Sequence, residues 1–253
     1  MAEVIPPNSQ LTQLLSSFNN LRLLRLGNFG PTWDLPDLVV EDCILLPNLQ
    51  SILLFSFENS QDLEQLIRCL KMPALKHLTL EDLYDDDQPG DIDFAKTLTV
   101  LSRRPEALTL EKVALLNVYI SSMDVLLDFF GSCRAVKHIH LSIRQINPFS
   151  TSYNDLLKLP LRNYKLQPIR NLPKLCAHLE TAALEGFSGK TLILLTSTFQ
   201  KDGRPLAKLW YSERDDISKK VMKELEKNVG KVFELEASSD EESDENEESG
   251  DED

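Results

Sequence analysis

The chain of 253 residues is long enough for one large domain or two small ones. Its 42% hydrophobic and 26% charged residues are typical of a globular protein. Positions 240–253 hold ten of the 40 acidic residues and no Lys or Arg, and they supply most of the net charge of −13; the remainder has 27 basic against 30 acidic residues. This balance argues against general nucleic-acid binding, which needs Lys and Arg to neutralise phosphates.

Neither a signal peptide nor a membrane span is predicted. The first ten residues, MAEVIPPNSQ, lack a basic and an apolar region, and no apolar run of about 18 residues is present. The four cysteines, Cys43, Cys69, Cys133 and Cys176, form no CxxC pair, which favours buried free thiols over zinc or redox use. We therefore expect a monomer of the cytoplasm or nucleus that binds no membrane, nucleic acid, metal or cofactor.

In chain order, short strand patterns alternate with helical patterns. Each strand pattern has apolar residues at its first, fourth and sixth positions, as in LQSILL and LKHLTL. The patterns begin at Leu21, Leu49, Leu75, Pro105 (PEALTL, with a degenerate first position), Val136, Leu179 and Leu206. Amphipathic helices are predicted around 11–15 and over 60–70, 93–101, 121–130, 188–199 and 216–228. The 43 residues between Val136 and Leu179 do not fit the period, and LRNYKL from Leu161 is a candidate for a distorted extra strand.

Apart from that gap, the strand patterns lie 26 to 31 residues apart, close to the long end of leucine-rich repeats at about 20–29 residues. One such unit cannot bury both faces alone, so neighbouring units stack. The sequence thus predicts an α/β leucine-rich-repeat solenoid, with parallel strands on the concave face and helices on the convex face. Its parts are a lead-in or truncated cap at 1–20, repeats at 21–212, a capping helix with a short extended segment at 213–235, and a disordered acidic tail at 236–253.

The concave face is the predicted binding surface. Because side chains alternate along a strand, the residues between the apolar positions point to that face. An unknown protein ligand is expected to contact Arg25, Leu53, Phe55, His77, Thr79, His138, His140, Lys208 and Trp210. The same reasoning places on this face Leu23, Ser51, Glu81, Ala107, Thr109, Glu111, Ser142, Thr181, Ala183 and Glu185. Trp210 is either an exposed aromatic anchor or covered by a loop or the C-terminal cap.

The stretch LETAALEGFSGKTLILLTSTF, at 179–199, has the strand, glycine loop and helix order of a nucleotide-binding loop. A phosphate-binding loop needs Gly five positions before Gly189, where the chain has Leu184. We expect instead that Ser188 caps a helix and that Gly186 and Gly189 turn the chain. Binding of a labelled nucleotide, abolished by Lys190→Ala, would contradict this.

Other candidate chemistry is weaker. His138 and His140 lie on one side of a strand and could share a metal, but no third ligand is close in sequence. The acidic loop around 81–87 lacks EF-hand spacing, which favours a solvated turn over a calcium site. No catalytic motif is present, so we expect no enzymatic activity and no catalytic residues.

The C-terminal tail, EASSDEESDENEESGDED, is too polar to bury a core and is predicted to be disordered. Ser238, Ser239 and Ser249 each have an acidic residue three positions on, which suits acidophilic kinases. Two roles remain open for the tail: keeping the protein soluble, or attracting a basic partner such as histones.

The stretches FNNLRLLRLGNF, LPNLQSILLFSF, MPALKHLTLEDL and CRAVKHIHLSI resemble the irregular leucine-rich region of F-box proteins of mushroom-forming fungi. The resemblance runs from about Leu11 to the acidic tail. It implies substrate recognition by the repeats, with an F-box that docks on the Skp-type adaptor of a ubiquitin ligase. Positions 1–10 are too short for an F-box, so we expect either a truncated chain or an F-box-less relative, and adaptor binding only if an upstream F-box exists.

A second family also pairs leucine-rich repeats with an acidic tail. Acidic leucine-rich nuclear phosphoproteins bind histones, but their repeats are shorter and carry Asn after the strand motif. Here only Asn28 occupies such a position. A histone-binding nuclear protein is therefore the alternative prediction.

Overall fold

The computed structural model describes residues 8–29, 44–57, 60–82, 93–144, 175–212 and 217–235. The strands are β1 (Leu23–Phe29), β2 (Ile44–Leu45), β3 (Ser51–Phe57), β4 (Leu70–Lys71), β5 (His77–Glu81), β6 (Lys112–Tyr119), β7 (His138–Arg144), β8 (Thr181–Glu185), β9 (Lys208–Ser212) and β10 (Lys231–Leu235). The helices are α1 (Asn8–Ser17), α2 (Ser60–Cys69), α3 (Ala95–Ser102), α4 (Met123–Ser132), α5 (Gly189–Lys201) and α6 (Lys219–Asn228), with a 3-10 helix at Pro105–Thr109.

Eight strands form one sheet in the order β1-β3-β5-β6-β7-β8-β9-β10, while β2 and β4 pair separately. Every pairing between neighbours in the large sheet is parallel. Parallel neighbours need a crossover connection, and here each crossover moves the chain one strand along the sheet. The predicted α/β class with parallel strands is confirmed at this level.

The two faces of the sheet differ because side chains alternate along each strand. In β5, Leu78 and Leu80 are buried, whereas His77, Thr79 and Glu81 are exposed or half-buried. The buried strand residues join the buried residues of the helices, such as Leu63 of α2, in one continuous core. We call this side the helix face and the other side the open face.

The chain enters most strands through the same turn. The N–H of the first apolar residue of the strand pattern donates to the carbonyl three residues earlier, as from Leu75 to Met72 at 3.0 Å. Equivalent bonds start β3, β6, β7 and β8 at Leu49, Leu110, Val136 and Leu179. The next two N–H groups both donate to one carbonyl beside the preceding strand, as Lys76 and His77 do to Gln50, each at 2.9 Å. These bonds fix the register at the beginning of each strand.

The predicted strand at PEALTL is wrong. Pro105 begins the 3-10 helix, consistent with its fixed φ and missing N–H, which suit a helix start and not an interior strand. The strand pattern is LEKVAL from Leu110, and its residue Lys112 pairs with His77. Ala107 and Thr109 consequently lie in the 3-10 helix, and Glu111 lies one residue before β6, so all three are removed from the predicted strand face.

Two of the cysteines lie at the same position of neighbouring turns. The backbone carbonyl of each cysteine accepts a hydrogen bond from the N–H of the residue that begins the next strand pattern, Val136 for Cys133 and Leu179 for Cys176. Both cysteines are free and buried, and burial raises the pKa of each thiol to about 12. The charge of the neighbouring Cys133 thiolate is a second, smaller cause of the raised pKa of Cys176. The prediction of buried free thiols is confirmed for this pair, whereas Cys69 is half-buried and Cys43 lies outside the described residues.

A buried ion pair closes the end of α2. Arg104 donates to the carbonyls of Ile67 and Leu70, and its Nη2 lies 2.9 Å from Glu106 Oε1. The same carboxylate oxygen accepts the N–H of Met72 at 3.1 Å. A helix leaves its last carbonyls without backbone N–H donors, and Arg104 supplies donors to the carbonyls at this end. The pair thereby ties the 3-10 helix to the turn that opens β5.

Arg104→Ala is expected to lower the free energy of unfolding by about 3 kcal/mol, because it leaves the Glu106 charge buried without its partner. Arg68→Ala is the matched control, since the Arg68–Glu64 pair is 2.7 Å long but Arg68 is 57% exposed. Its loss should be about 0.5 kcal/mol or less. Urea unfolding measures both, and equal losses would contradict the assigned role.

The pKa of Glu106 gives this pair a pH dependence. Burial alone raises the pKa of the carboxyl, but hydrogen bonds from Arg104 and from backbone N–H groups, together with the Arg104 charge, bring it below its ordinary value of 4.5. A lowered folded-state pKa contributes stability that is present above the unfolded pKa and lost as the pH falls through the folded pKa. The gap in unfolding free energy between wild type and Glu106→Gln should therefore shrink between about pH 7 and about pH 3 in urea titrations. A constant gap would show that the carboxylate charge is not the stabilising feature.

Candidate protein-binding face

The open face is arranged in rows, because residues at the same register position lie side by side on neighbouring strands. The first row contains Leu23, Ser51, His77, Lys112, His138, Thr181, Lys208 and Lys231. The second row contains Arg25, Leu53, Thr79, Ala114, His140, Ala183, Trp210 and Phe233. The described strands thus present two continuous lines of side chains across the sheet.

An apolar area occupies the β1 end of this face. The guanidinium carbon of Arg25 lies 4.9 Å from the centre of the Phe55 ring, a cation–π contact. The ring lies across Gly27, where an added Cβ would approach it to 2.3 Å. Leu23, beside them, is 62% exposed. Gly27 therefore makes room for the predicted aromatic residue of this end.

Histidines and hydroxyl groups occupy the centre. Ser51 Oγ and His77 Nδ1 are 2.9 Å apart, and so are His138 Nδ1 and Thr181 Oγ1. His140 Nε2 contacts Glu185 Oε1 two positions further along the strands. Each of these bonds joins neighbouring strands, so the polar side chains of the centre are already oriented. Across the part of the chain that the structure describes, no three His, Cys, Asp or Glu side chains gather as a metal site would require.

An aromatic pair forms the other end. The rings of Trp210 and Phe233 stack with centroids 5.3 Å apart and an interplanar angle of 20°. Lys208 Nζ lies 5.8 Å from the Trp210 ring centre. Trp210 is half-buried and Phe233 is 38% exposed, so β10 supports the indole from one side while the pair keeps contact with solvent. Phe233 belongs to the C-terminal segment at 213–235, so the indole is partly covered from the side of the predicted cap and partly exposed.

The nine predicted contact residues all lie on open-face positions of β1, β3, β5, β7 and β9. They do not form one cluster, since they extend across the sheet from Arg25 to Trp210. The sequence reasoning missed Lys112 and Ala114, because it placed their strand five residues early, and it missed Lys231 and Phe233. The patterns LEKVAL from Leu110 and VGKVFE from Val229 carry the signal that would have found them.

Glu111 is close to the face but not part of it. Its carboxylate lies 2.9 Å from Lys76 Nζ, between the turns that open β5 and β6. The hydrogen bond from Lys76, and then its charge, hold the pKa of the Glu111 carboxyl below its ordinary value. Charges of opposite sign thus alternate along the edge at which the strands begin.

The glycine loop before α5 has a structural explanation. Ser188 caps the helix, accepting the N–H of Thr191, which confirms the predicted cap. Gly189 faces α6, where an added Cβ would lie 2.8 Å from Val221 Cγ1. A side chain at 189 would therefore separate the two helices, which accounts for a glycine in GKT without a nucleotide.

Several predictions fall outside the described residues: the phosphorylation sites Ser238, Ser239 and Ser249, most of the acidic loop after Asp82, and the LRNYKL segment. In the described ranges, every helix is too short or too polar to cross a lipid bilayer.

Comparison with known proteins adds no functional information. No protein-family profile matches the sequence, and no curated protein matches it either. One similar solved structure is a crystal structure of a protein from Bacteroides fragilis, with 14% sequence identity and a TM-score of 0.36. The similarity covers 75% of this chain and 42% of that one, so the chain spans less than half of its length.

Gly189→Ala should lower the free energy of unfolding by about 1–3 kcal/mol, because the new methyl group collides with Val221. Alanine otherwise favours a helix over glycine by about 1 kcal/mol, so the same change in a Val221→Ala background should be neutral or stabilising. Thermal and urea unfolding of the wild type, the two single variants and the double variant test this. Lys190→Ala, at an exposed neighbour, should change stability by about 0.5 kcal/mol or less; a loss in Gly189→Ala that persists without Val221 would refute the packing explanation.

Proposed function

We propose that this protein is a leucine-rich-repeat solenoid, with the open face as its concave surface and the helices on its convex surface. The support is the parallel strand order, the recurring entry turn and the alternation of buried and exposed residues in strands such as HLTLE of β5. Parallel sheets with helices on both sides read as continuous apolar runs. Here buried and exposed residues alternate along many of the parallel strands, which instead favours helices on one side of the sheet only.

The function we propose is recognition of a protein partner through the open face, without catalysis. The observation that carries it is the arrangement of this face: accessible aromatic side chains at both ends, Phe55 and Trp210–Phe233, with oriented polar side chains between them. Binding hot spots are enriched in Trp, Tyr and Arg, and an aromatic anchor with a polar surround is typical of interfaces. Arg25, beside Phe55, is also of a residue type that is enriched in hot spots.

Within this function, the resemblance to fungal F-box proteins supports a role as the substrate-recognition part of a ubiquitin-ligase receptor, or as an F-box-less relative. On this proposal the partner would be a protein destined for ubiquitylation. Binding of a Skp-type adaptor belongs to it only where an F-box precedes the repeats.

A second candidate is a nuclear protein that binds histones or other basic partners. Its support is the acidic segment at 240–253, with ten carboxylates and no basic residue. The first candidate places the contact on the open face and the second places it on the acidic segment. Substitutions on the open face and deletion of 240–253 therefore distinguish the two.

Phe55→Ala and Trp210→Ala should each weaken partner binding by about tenfold or more, since truncating an aromatic anchor typically costs about 2 kcal/mol. The partner is first identified by cross-linking in source cells and then purified, and its affinity is measured by calorimetry. Lys223→Ala, on the exposed side of α6, is the control and should bind as wild type.

Deletion of 240–253 separates the two functions. The open-face proposal expects that a partner still binds after the deletion, whereas the histone proposal expects loss of a salt-sensitive interaction. Unchanged affinity in both aromatic variants, with folding verified by thermal unfolding, would disprove recognition through this face.

A further inference from the structure

The last two strands place two lysines side by side. Lys208 of β9 and Lys231 of β10 are register partners in the first row of the open face, and both are exposed. Neighbouring strands are about 4.8 Å apart, and like charges directly opposite each other destabilise a sheet. Among the described residues, neither ammonium group has a carboxylate within 4.0 Å. The pair is therefore a concentrated positive charge without a carboxylate partner among the described residues, and the Trp210 ring is the aromatic contact of Lys208.

The surroundings of this pair contain little negative charge. The neighbouring open-face positions are Thr181 and the aromatic pair Trp210 and Phe233. The nearest acidic residues on β8 are Glu180, which precedes the strand, and Glu185, which His140 already contacts. On β10, Glu234 alternates with the open-face residue Phe233 and hydrogen-bonds Tyr211 of β9. A ligand for this site must supply its own carboxylates or phosphates.

The chain itself continues with such a segment. Residues 236–253 follow Leu235, the last residue of β10, and contain the acidic block at 240–253. The strand from Lys231 to Leu235 is about 13 Å long, and an extended chain advances about 3.3–3.6 Å per residue. A chain that reverses after Leu235 brings the first acidic run, 240–242, to the level of the two lysines.

We propose that Lys208, Lys231 and the flanking Trp210–Phe233 pair form a binding site for an acidic segment, and that its occupant is the protein's own tail at 236–253. Direct attachment to β10 gives the tail an effective concentration in the millimolar range, so weak ion pairs suffice for occupancy. The returning chain crosses the aromatic pair on its way to the lysines. Phosphorylation of Ser238 or Ser239 adds charge beside the first acidic run and strengthens the contact.

This inference does not depend on the partner proposed above, although it has a consequence for it. An occupied site covers one end of the open face, so the tail competes with any ligand that uses Trp210.

The test is carbodiimide cross-linking of the full chain, which joins carboxylates to lysines in direct contact, followed by mass spectrometry. Lys219 and Lys220 of α6 are the controls, because they are exposed, adjacent to each other and lie between Lys208 and Lys231 in sequence, nearer to the tail than Lys208. We expect cross-links from 240–242 to Lys208 and Lys231 to exceed those to the controls by about tenfold at low salt and to fall sharply at about 0.5 M salt. Cross-links spread evenly over all exposed lysines would overturn the proposal.

A second measurement follows the aromatic pair. The chain has two tryptophans, so Trp33→Phe leaves Trp210 as the sole indole reporter. In that background, Lys231→Glu should increase acrylamide quenching of Trp210 by about twofold, because it repels the tail, while Lys208, whose Nζ lies 5.8 Å from the Trp210 ring centre, stays unchanged. Lys219→Glu with Lys220→Glu should leave quenching unchanged, and circular dichroism verifies that each variant is folded. Equal quenching in all chains would show that the tail does not cover this site.

Discussion

The structure depends on one backbone interaction that recurs from strand to strand. Two successive N–H groups at the start of a strand donate to a single carbonyl beside the preceding strand, as those of Lys137 and His138 do to Glu111 at 2.8 and 3.1 Å. This bond fixes the register before any side chain of the strand is placed. Because a shift of one residue would exchange the two faces, the register decides which side chains enter the core.

The same constraint explains how polar side chains occupy a parallel sheet. Opposite the helix face, alternate residues of most strands remain exposed or half-buried and include His, Lys, Thr and aromatic side chains, although Ala114 of β6 is buried. The core takes the other residues, and its fully buried Leu and Ile side chains come from strands and helices alike. The register therefore decides which side chains the open face presents.

Much of the fold follows from local patterns in the sequence. The apolar positions of LKHLTL and VKHIHL identify the buried residues of β5 and β7, and Ser188 identifies the start of α5. The pattern failed at PEALTL, where it matched the fourth and sixth apolar positions but ignored that Pro105 cannot donate to a ladder. The predicted placement on the open face was correspondingly confirmed for residues of well-formed patterns, such as His77 and His138, and wrong around Ala107.

By itself the sequence determined most of the element types, though not the 3-10 helix at Pro105–Thr109. It also determined which residues alternate between core and surface in well-formed strand patterns, and the concentration of negative charge beyond position 236. Only the tertiary structure decided which residues became neighbours: Arg25 and Phe55, Trp210 and Phe233, and the two lysines of β9 and β10. The physical reason is that periodicity reports the environment of one segment. Neighbours across a sheet depend on hydrogen bonds between segments that lie more than twenty residues apart, and these bonds leave no local pattern.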